Sequence, residues 1–239
     1  MHLILNGGGS GEQTVITNKL FESLINPIKP VLYIPLAMEP DRYDSCLAWI
    51  NGELSNIKHG EIIIVREASE ILKHNLGNFA AVFIGGGNTY RLLHQIKDSG
   101  AFEQIKEYLA NGGIAYGGSA GAIIFGKDID SCIYMDSNDI DLGNTIGFNT
   151  LFGCSITAHY TNQNPAMTQL ATTFLNQYSH KEPVVALPEE DSIYTDGNIV
   201  KVVGTRPWYV FNGGEMRRLE ANTEHTKDEF NRMINTLNS

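Results

Sequence analysis

Gly112-Gly113-Ile114-Ala115-Tyr116-Gly117-Gly118-Ser119-Ala120-Gly121-Ala122-Ile123-Ile124-Phe125 reads as a short apolar strand, a glycine-bounded turn and the opening of a helix. A serine between glycines at such a turn is the G-x-S-x-G elbow context. The sharp turn exposes the hydroxyl and aims the following backbone N–H groups at a developing oxyanion. The competing reading is a glycine-rich turn needed only for packing, and five residues alone do not choose between them.

On either side of this stretch, short apolar runs alternate with amphipathic patterns. Leu3 to Leu5, Val31 to Ile34, Ile62 to Val65 and Val82 to Ile84 read as strands beside Ile114 to Tyr116. Between them, Val15, Leu20, Leu24 and Ile25, then Leu47, Ile50 and Leu54, then Leu92, Leu93 and Ile96, then Phe102, Ile105 and Leu109 recur at helical spacing. This alternation predicts an α/β fold, a mostly parallel sheet with helices on both faces. From about residue 183 the pattern changes. Val184 to Leu187 is apolar, and Ser192 to Thr195 and Ile199 to Val203 flank the hairpin signal Asp196-Gly197-Asn198, so C-terminal antiparallel strands close the fold. Phe230, Met233, Ile234 and Leu237 predict a last amphipathic helix. No internal repeat or linker divides the chain, so residues 1–239 read as a single catalytic domain.

With 239 residues, 42% of them hydrophobic, the chain can bury a large core. A net charge of −10 argues against nucleic acid, whose binders need a basic stripe, and leaves small molecules and peptides as partners. Met1 to Gly7 has no basic segment or extended apolar region, and no run approaches eighteen apolar residues. A cytoplasmic location without membrane attachment is therefore expected. Cys46, Cys132 and Cys154 are too few and scattered for a disulfide framework or a metal finger, which predicts buried free thiols. Oligomeric state stays open, a homodimer included.

Two glycine-rich loops point to one site. Ile84-Gly85-Gly86-Gly87-Asn88-Thr89 ends a strand and opens a helix, with Asn88 or Thr89 as its cap. Ligands of open parallel sheets sit at the carboxyl ends of the strands, so this loop and the Ser119 elbow face one crevice if their strands are neighbours. The N–H groups of Gly87 and Ala120 could then pair as an oxyanion hole. The earlier loop Gly7-Gly8-Gly9-Ser10-Gly11 has Glu12 where a dinucleotide fingerprint wants glycine, and the phosphate-loop-like run ending at Lys127 has Asp128 where a hydroxyl should hold magnesium. Neither is read as a nucleotide site. A serine nucleophile needs a base and an acid to orient it. Of seven histidines, His159 is best placed, at the carboxyl end of the short strand Ser155-Ile156-Thr157-Ala158. Asp128, Asp130, Asp136, Asp139 and Asp141 lie between serine and histidine as candidate acids.

Gly85-Gly86-Gly87-Asn88-Thr89-Tyr90-Arg91-Leu92-Leu93, Gly118-Ser119-Ala120-Gly121-Ala122 and Ala158-His159-Tyr160, in this order, resemble the dipeptidase E and cyanophycinase family of serine peptidases. The resemblance runs from the first strand to the tail. It implies a class I glutamine amidotransferase-like fold with a flavodoxin-like core, and serine where those enzymes carry cysteine. It implies Ser119 as nucleophile, His159 as base, and Gly87 and Ala120 as oxyanion donors. The family's acid lies roughly midway between elbow and histidine, aspartate in some members and glutamate in others, which points to Asp136, with Asp139 and Asp130 next. Asn88, Tyr160 and Asn162 are the expected substrate contacts. The implied activity is acyl transfer from short peptides, of exopeptidase or dipeptidase type, with neither metal nor organic cofactor. Aspartyl dipeptidases of the family use an arginine downstream of the histidine, yet Tyr160 to His180 contains no lysine or arginine. Strict aspartyl specificity is therefore not expected unless Arg91 or Arg206 reaches the pocket, because a carboxylate buried without a cation costs several kcal/mol. Two alternatives remain: an α/β-hydrolase-like esterase using Asp196 and His225, and an amidotransferase-like binding protein without turnover.

Overall fold

The computed structural model describes residues 1–236; Leu237, expected on the last helix, lies outside the described residues. The first half of the chain runs β1 (His2–Asn6), α1 (Val15–Leu24), β2 (Val31–Ile34), α2 (Tyr43–Glu53), β3 (Ile62–Ile64), α3 (Ala68–Ile71), β4 (Ala81–Ile84), α4 (Thr89–Asp98), α5 (Ala101–Ala110), β5 (Ile114–Gly118) and α6 (Ala120–Ile123). The second half runs β6 (Ser155–Thr157), α7 (Pro165–Tyr178), β7 (Val184–Ala186), β8 (Ser192–Thr195), β9 (Ile199–Val203), β10 (Trp208–Asn212), β11 (Glu215–Leu219), β12 (Glu224–Thr226) and α8 (Lys227–Asn235).

Eight strands form the main sheet in the order β12-β9-β8-β1-β5-β4-β2-β3. The five from β1 to β3 are parallel, and β8, β9 and β12 extend the sheet in antiparallel pairing. Side chains alternate across a strand, and here the alternation divides the core between two faces. Leu3, Leu5, Leu32, Ile34, Val82 and Ile84 pack with residues of α4, α5 and α6. Ile4, Val31, Tyr33, Ala81, Phe83 and Tyr116 pack with Phe21 and Ile25 at α1 and Ile50 and Leu54 at α2. Near-continuous apolar runs were legible as strands because the sheet is buried on both sides.

The antiparallel strands expected from the hairpin signal are β8 and β9 of the main sheet, and a second sheet, β11-β10-β7-β6, stands in addition to it. Its β6 and β7 are parallel neighbours, with Thr157 opposite Ala186. Tyr160, Leu175, Val184 and Phe211 pack together beneath it, joining α7 to this sheet. The segment Pro188–Asp191 passes from β7 to β8, from the second sheet to the first. It is tied to the end of β1 by Gly7 N–H donating to Asp191 O (3.0 Å) and Gly9 N–H donating to Glu189 O (3.2 Å). The chain thereby carries the ends of β6 and β7 over the carboxyl edge of the parallel sheet.

Candidate active site

Ser119 sits at the turn between β5 and α6 with φ 53° and ψ −116°, a conformation costly for a non-glycine residue and typical of strained functional turns. The turn closes only because its neighbours lack side chains: a β-carbon on Gly121 would come within 2.1 Å of Ile84 O. Ser119 N–H donates to Asn6 O at 3.1 Å, which fixes the elbow to the end of β1. The loop after β4 abuts it, since a β-carbon on Gly86 would lie 3.1 Å from that of Ser119. Asn88 caps α4 by accepting from Arg91 N–H at 2.9 Å. Among the described residues, neither Gly87 N–H nor Ala120 N–H has a hydrogen-bond partner.

His159 follows β6 and is anchored by its own N–H donating to Gly7 O at 2.9 Å. Its φ of 57° turns the chain sharply after the strand. Nε2 lies 2.8 Å from Ser119 Oγ, and Nδ1 lies 2.9 Å from Glu189 Oε1. An ionised carboxylate can only accept, so Nδ1 carries the proton toward Glu189 and Nε2 presents its lone pair to the serine hydroxyl. That is the arrangement a general base requires. Gln13 holds the other oxygen of Glu189 at 2.9 Å, and Asn162 accepts from Glu189 N–H at 2.8 Å.

The acid beside the imidazole is therefore Glu189, not Asp136. Asp136 Oδ2 accepts from Thr89 N–H at 2.8 Å and Thr89 Oγ1 at 2.5 Å, so its charge is spent on the first turn of α4. Asp130 accepts from Tyr90 OH, and Asp139 accepts from Ser137 Oγ. The reason is topological. His159 lies two residues past the end of β6 and Glu189 three past the end of its parallel neighbour β7, so the two side chains emerge side by side. Pro188-Glu189-Glu190-Asp191 after an apolar strand was the available signal, but it lies beyond the histidine, outside the segment from which the acid was chosen.

Ser119 and His159 open onto a cleft of about 460 Å³ walled by the loops after β1 and β4 and by Tyr33, Met38, Cys46 and Trp49. None of Asn88, Tyr160 or Asn162, the expected substrate contacts, lines it. Asn88 is committed to its cap and to Ser137 O, and Tyr160 is buried with its hydroxyl on Thr172. Asn162 braces Glu189 and donates to Glu190 Oε2 at 2.9 Å. Arg91 pairs with Glu39 and Arg206 with Glu190 and Thr161, so neither supplies the cleft with a cation. Cys132 and Cys154 are buried and Cys46 partly so, all three free. Burial raises the Cys46 thiol, which keeps it protonated and a poor rival nucleophile. Asp196 closes the β8–β9 turn and His225 lies on the edge strand β12, so the esterase arrangement is not assembled. Among the described residues no cluster of three or more potential ligands is placed to hold a metal, and no helix is long and apolar enough to cross a membrane.

Residues 3–203 match the family model of peptidase family S51. The chain is 27% identical over 209 residues to Peptidase E of Shewanella denitrificans, an alignment covering 80% of this chain and 85% of that protein. It is 25% identical over 228 residues to Peptidase E of a Nostoc species, covering 90% of each. Among solved structures, a candidate peptidase E protein from Listeria monocytogenes EGD-e superposes with a TM-score of 0.66 at 23% identity, over 92% of this chain and 98% of that one. A peptidase from an acI-B1 Actinobacterium gives 0.71 at 18%, over 94% and 96%. These structures share the class I glutamine amidotransferase-like fold.

Proposed function

This chain belongs to peptidase family S51 and is a serine-type peptidase, and on that premise we propose that it cleaves short peptides through Ser119, His159 and Glu189. The observation that carries the reading is the unbroken line from Ser119 Oγ to His159 Nε2 (2.8 Å) and from His159 Nδ1 to Glu189 Oε1 (2.9 Å), with Ser119 and His159 lining a cleft. Ser119 Oγ attacks the scissile carbonyl as its proton passes to Nε2, and Glu189 stabilises the imidazolium that forms. The N–H groups of Gly87 and Ala120 receive the negative charge on the carbonyl oxygen. Such donors act without reorganising, which is why removing one typically costs about a hundred-fold or more. His159 then gives its proton to the leaving amine. A water attacks the acyl-enzyme with His159 again as base, returning Ser119 and releasing the acid.

The absence of a basic residue from Tyr160 to His180, together with the engagement of Arg91 and Arg206 elsewhere, supports a preference that is not strictly aspartyl. Hydrolysis of a panel of dipeptides and aminoacyl amides, with aspartyl members, by wild type and Glu189→Gln tests the reading. Turnover that falls at least a hundred-fold in the variant is expected. Turnover unaffected by the variant would remove Glu189 from the mechanism, and a strict requirement for N-terminal aspartate would refute the specificity.

A further inference from the structure

We propose that Arg42 is a specificity residue of the cleft, binding a carboxylate of the peptide substrate beside Ser119. The proposal rests on the peptidase reading for the bond that is cut, but the charge recognition stands on its own geometry. Arg42 lines the same cleft as Ser119 and His159, on the wall made by the start of α2. No aspartate, glutamate or lysine lines that cleft among the described residues, so Arg42 is its one fixed positive charge in a chain of net charge −10.

The charges around Arg42 are arranged to leave it free. Three acids flank it in sequence, Glu39, Asp41 and Asp44. Glu39 is taken by Arg91 from α4, 2.5 Å away, and Asp44 by Arg66 from the loop after β3. Among the described residues, no carboxylate lies within ion-pair distance of Arg42, and its guanidinium has no hydrogen-bond partner. Its backbone is fixed nonetheless, with N–H donating to Glu39 O at 2.9 Å and C=O accepting from Ser45 Oγ at 2.7 Å. A guanidinium presents donors in a planar fork that matches a carboxylate bidentately, and such charge-assisted pairs are about twice as strong as neutral hydrogen bonds. The rest of the wall, Met38, Phe83 and Trp49, is apolar and suits the carbon skeleton that carries the charge. The stretch from Tyr160 to His180 carries no lysine or arginine, and Arg42 reaches the cleft from the position just before α2.

Two sources supply a carboxylate there: the C-terminus of the leaving residue and an acidic side chain next to the scissile bond. kcat/KM is measured for matched pairs, a dipeptide against its C-terminal amide, and an aspartyl or glutamyl peptide against its asparaginyl or glutaminyl counterpart, with wild type and Arg42→Gln. The expected result is a preference of wild type for the charged member of one pair, carried mainly in KM, that collapses ten- to a hundred-fold toward unity in Arg42→Gln. The pair that responds identifies the source. Equal preference ratios in wild type and variant would overturn the proposal while leaving the peptidase intact. Binding to Ser119→Ala separates the two readings, using the fluorescence of Trp49, since the second tryptophan, Trp208, is fully buried. Charge-dependent quenching that is lost with Arg42→Gln, while wild type turns over no member of the substrate pairs, would keep the recognition and sink the hydrolysis. Quenching that does not distinguish acid from amide would overturn the recognition.

Discussion

The imidazole of His159 lies directly against the α-carbon of Gly8: a β-carbon there would come within 2.2 Å of Cε1 and 2.6 Å of Nε2. Gly8 also has φ +103°, which L side chains rarely adopt. The loop after β1 is thus the seat of the base, which explains why it is glycine-rich without carrying a nucleotide fingerprint. Gly8→Ala is expected to push the ring off Ser119 and lower kcat/KM on the order of a hundred-fold, as misplacements near 1 Å do. Steady-state kinetics on a wild-type substrate checks this. Wild-type kcat/KM in a folded Gly8→Ala protein would show that the ring position is not critical.

Glu189 and Asp136 are expected to separate activity from stability. Glu189→Gln removes the charge that orients and stabilises His159, and kcat falls about a hundred- to ten-thousand-fold with little change in melting temperature. Asp136→Asn weakens the anchoring of the first turn of α4, costing about 1 kcal/mol, or a fall of about 2–4 °C in a domain this size. Its loss of kcat is expected to be far smaller than that of Glu189→Gln. Kinetics and thermal melts on both variants decide the matter, and the reverse pattern would restore Asp136 as the acid.

Asp191 sets a pH dependence of stability. Its carboxyl is fully buried, one oxygen accepting from Thr205 and Arg206 N–H and the other without a partner. Burial pushes its pKa from 3.8 up to about 6. A folded-state value above the unfolded one favours the protonated form, so the stability it contributes is complete below about pH 4 and is lost as pH rises through about 6. The displacement is worth up to about 3 kcal/mol. Asp191→Asn keeps the acceptor oxygen and cannot ionise, so its stability relative to wild type should rise between pH 4.5 and 7.5. Denaturant titrations at both pH values measure this. A difference that does not change with pH would contradict it.

The parallel half of the fold was legible because burial on both faces gives unbroken apolar strands such as Val31–Ile34 and Ala81–Ile84, punctuated by glycine loops. Asn88 as the cap of α4 was legible for a local reason, since its side chain serves its own helix. The second sheet was not, because β6 is three residues long and its pairing with β7 spans a whole intervening helix. Without that pairing nothing places Glu189 next to His159, and chain order alone favoured an aspartate upstream. Tyr160 and Asn162 stood beside the histidine in sequence, yet a sharp turn at His159 and Thr161, both at positive φ, sends their side chains into the packing around Glu189 and α7. Adjacency along the chain was a poor guide to the cleft there.

The most direct test is to locate the adduct left by a fluorophosphonate, which reports an activated serine without assuming a substrate. Peptide mapping by mass spectrometry is expected to find one phosphonylated residue, Ser119, in wild type, with no adduct in Ser119→Ala and labelling slowed at least a hundred-fold in His159→Ala. An adduct on another residue, or labelling of Ser119 at an undiminished rate without His159, would contradict the account.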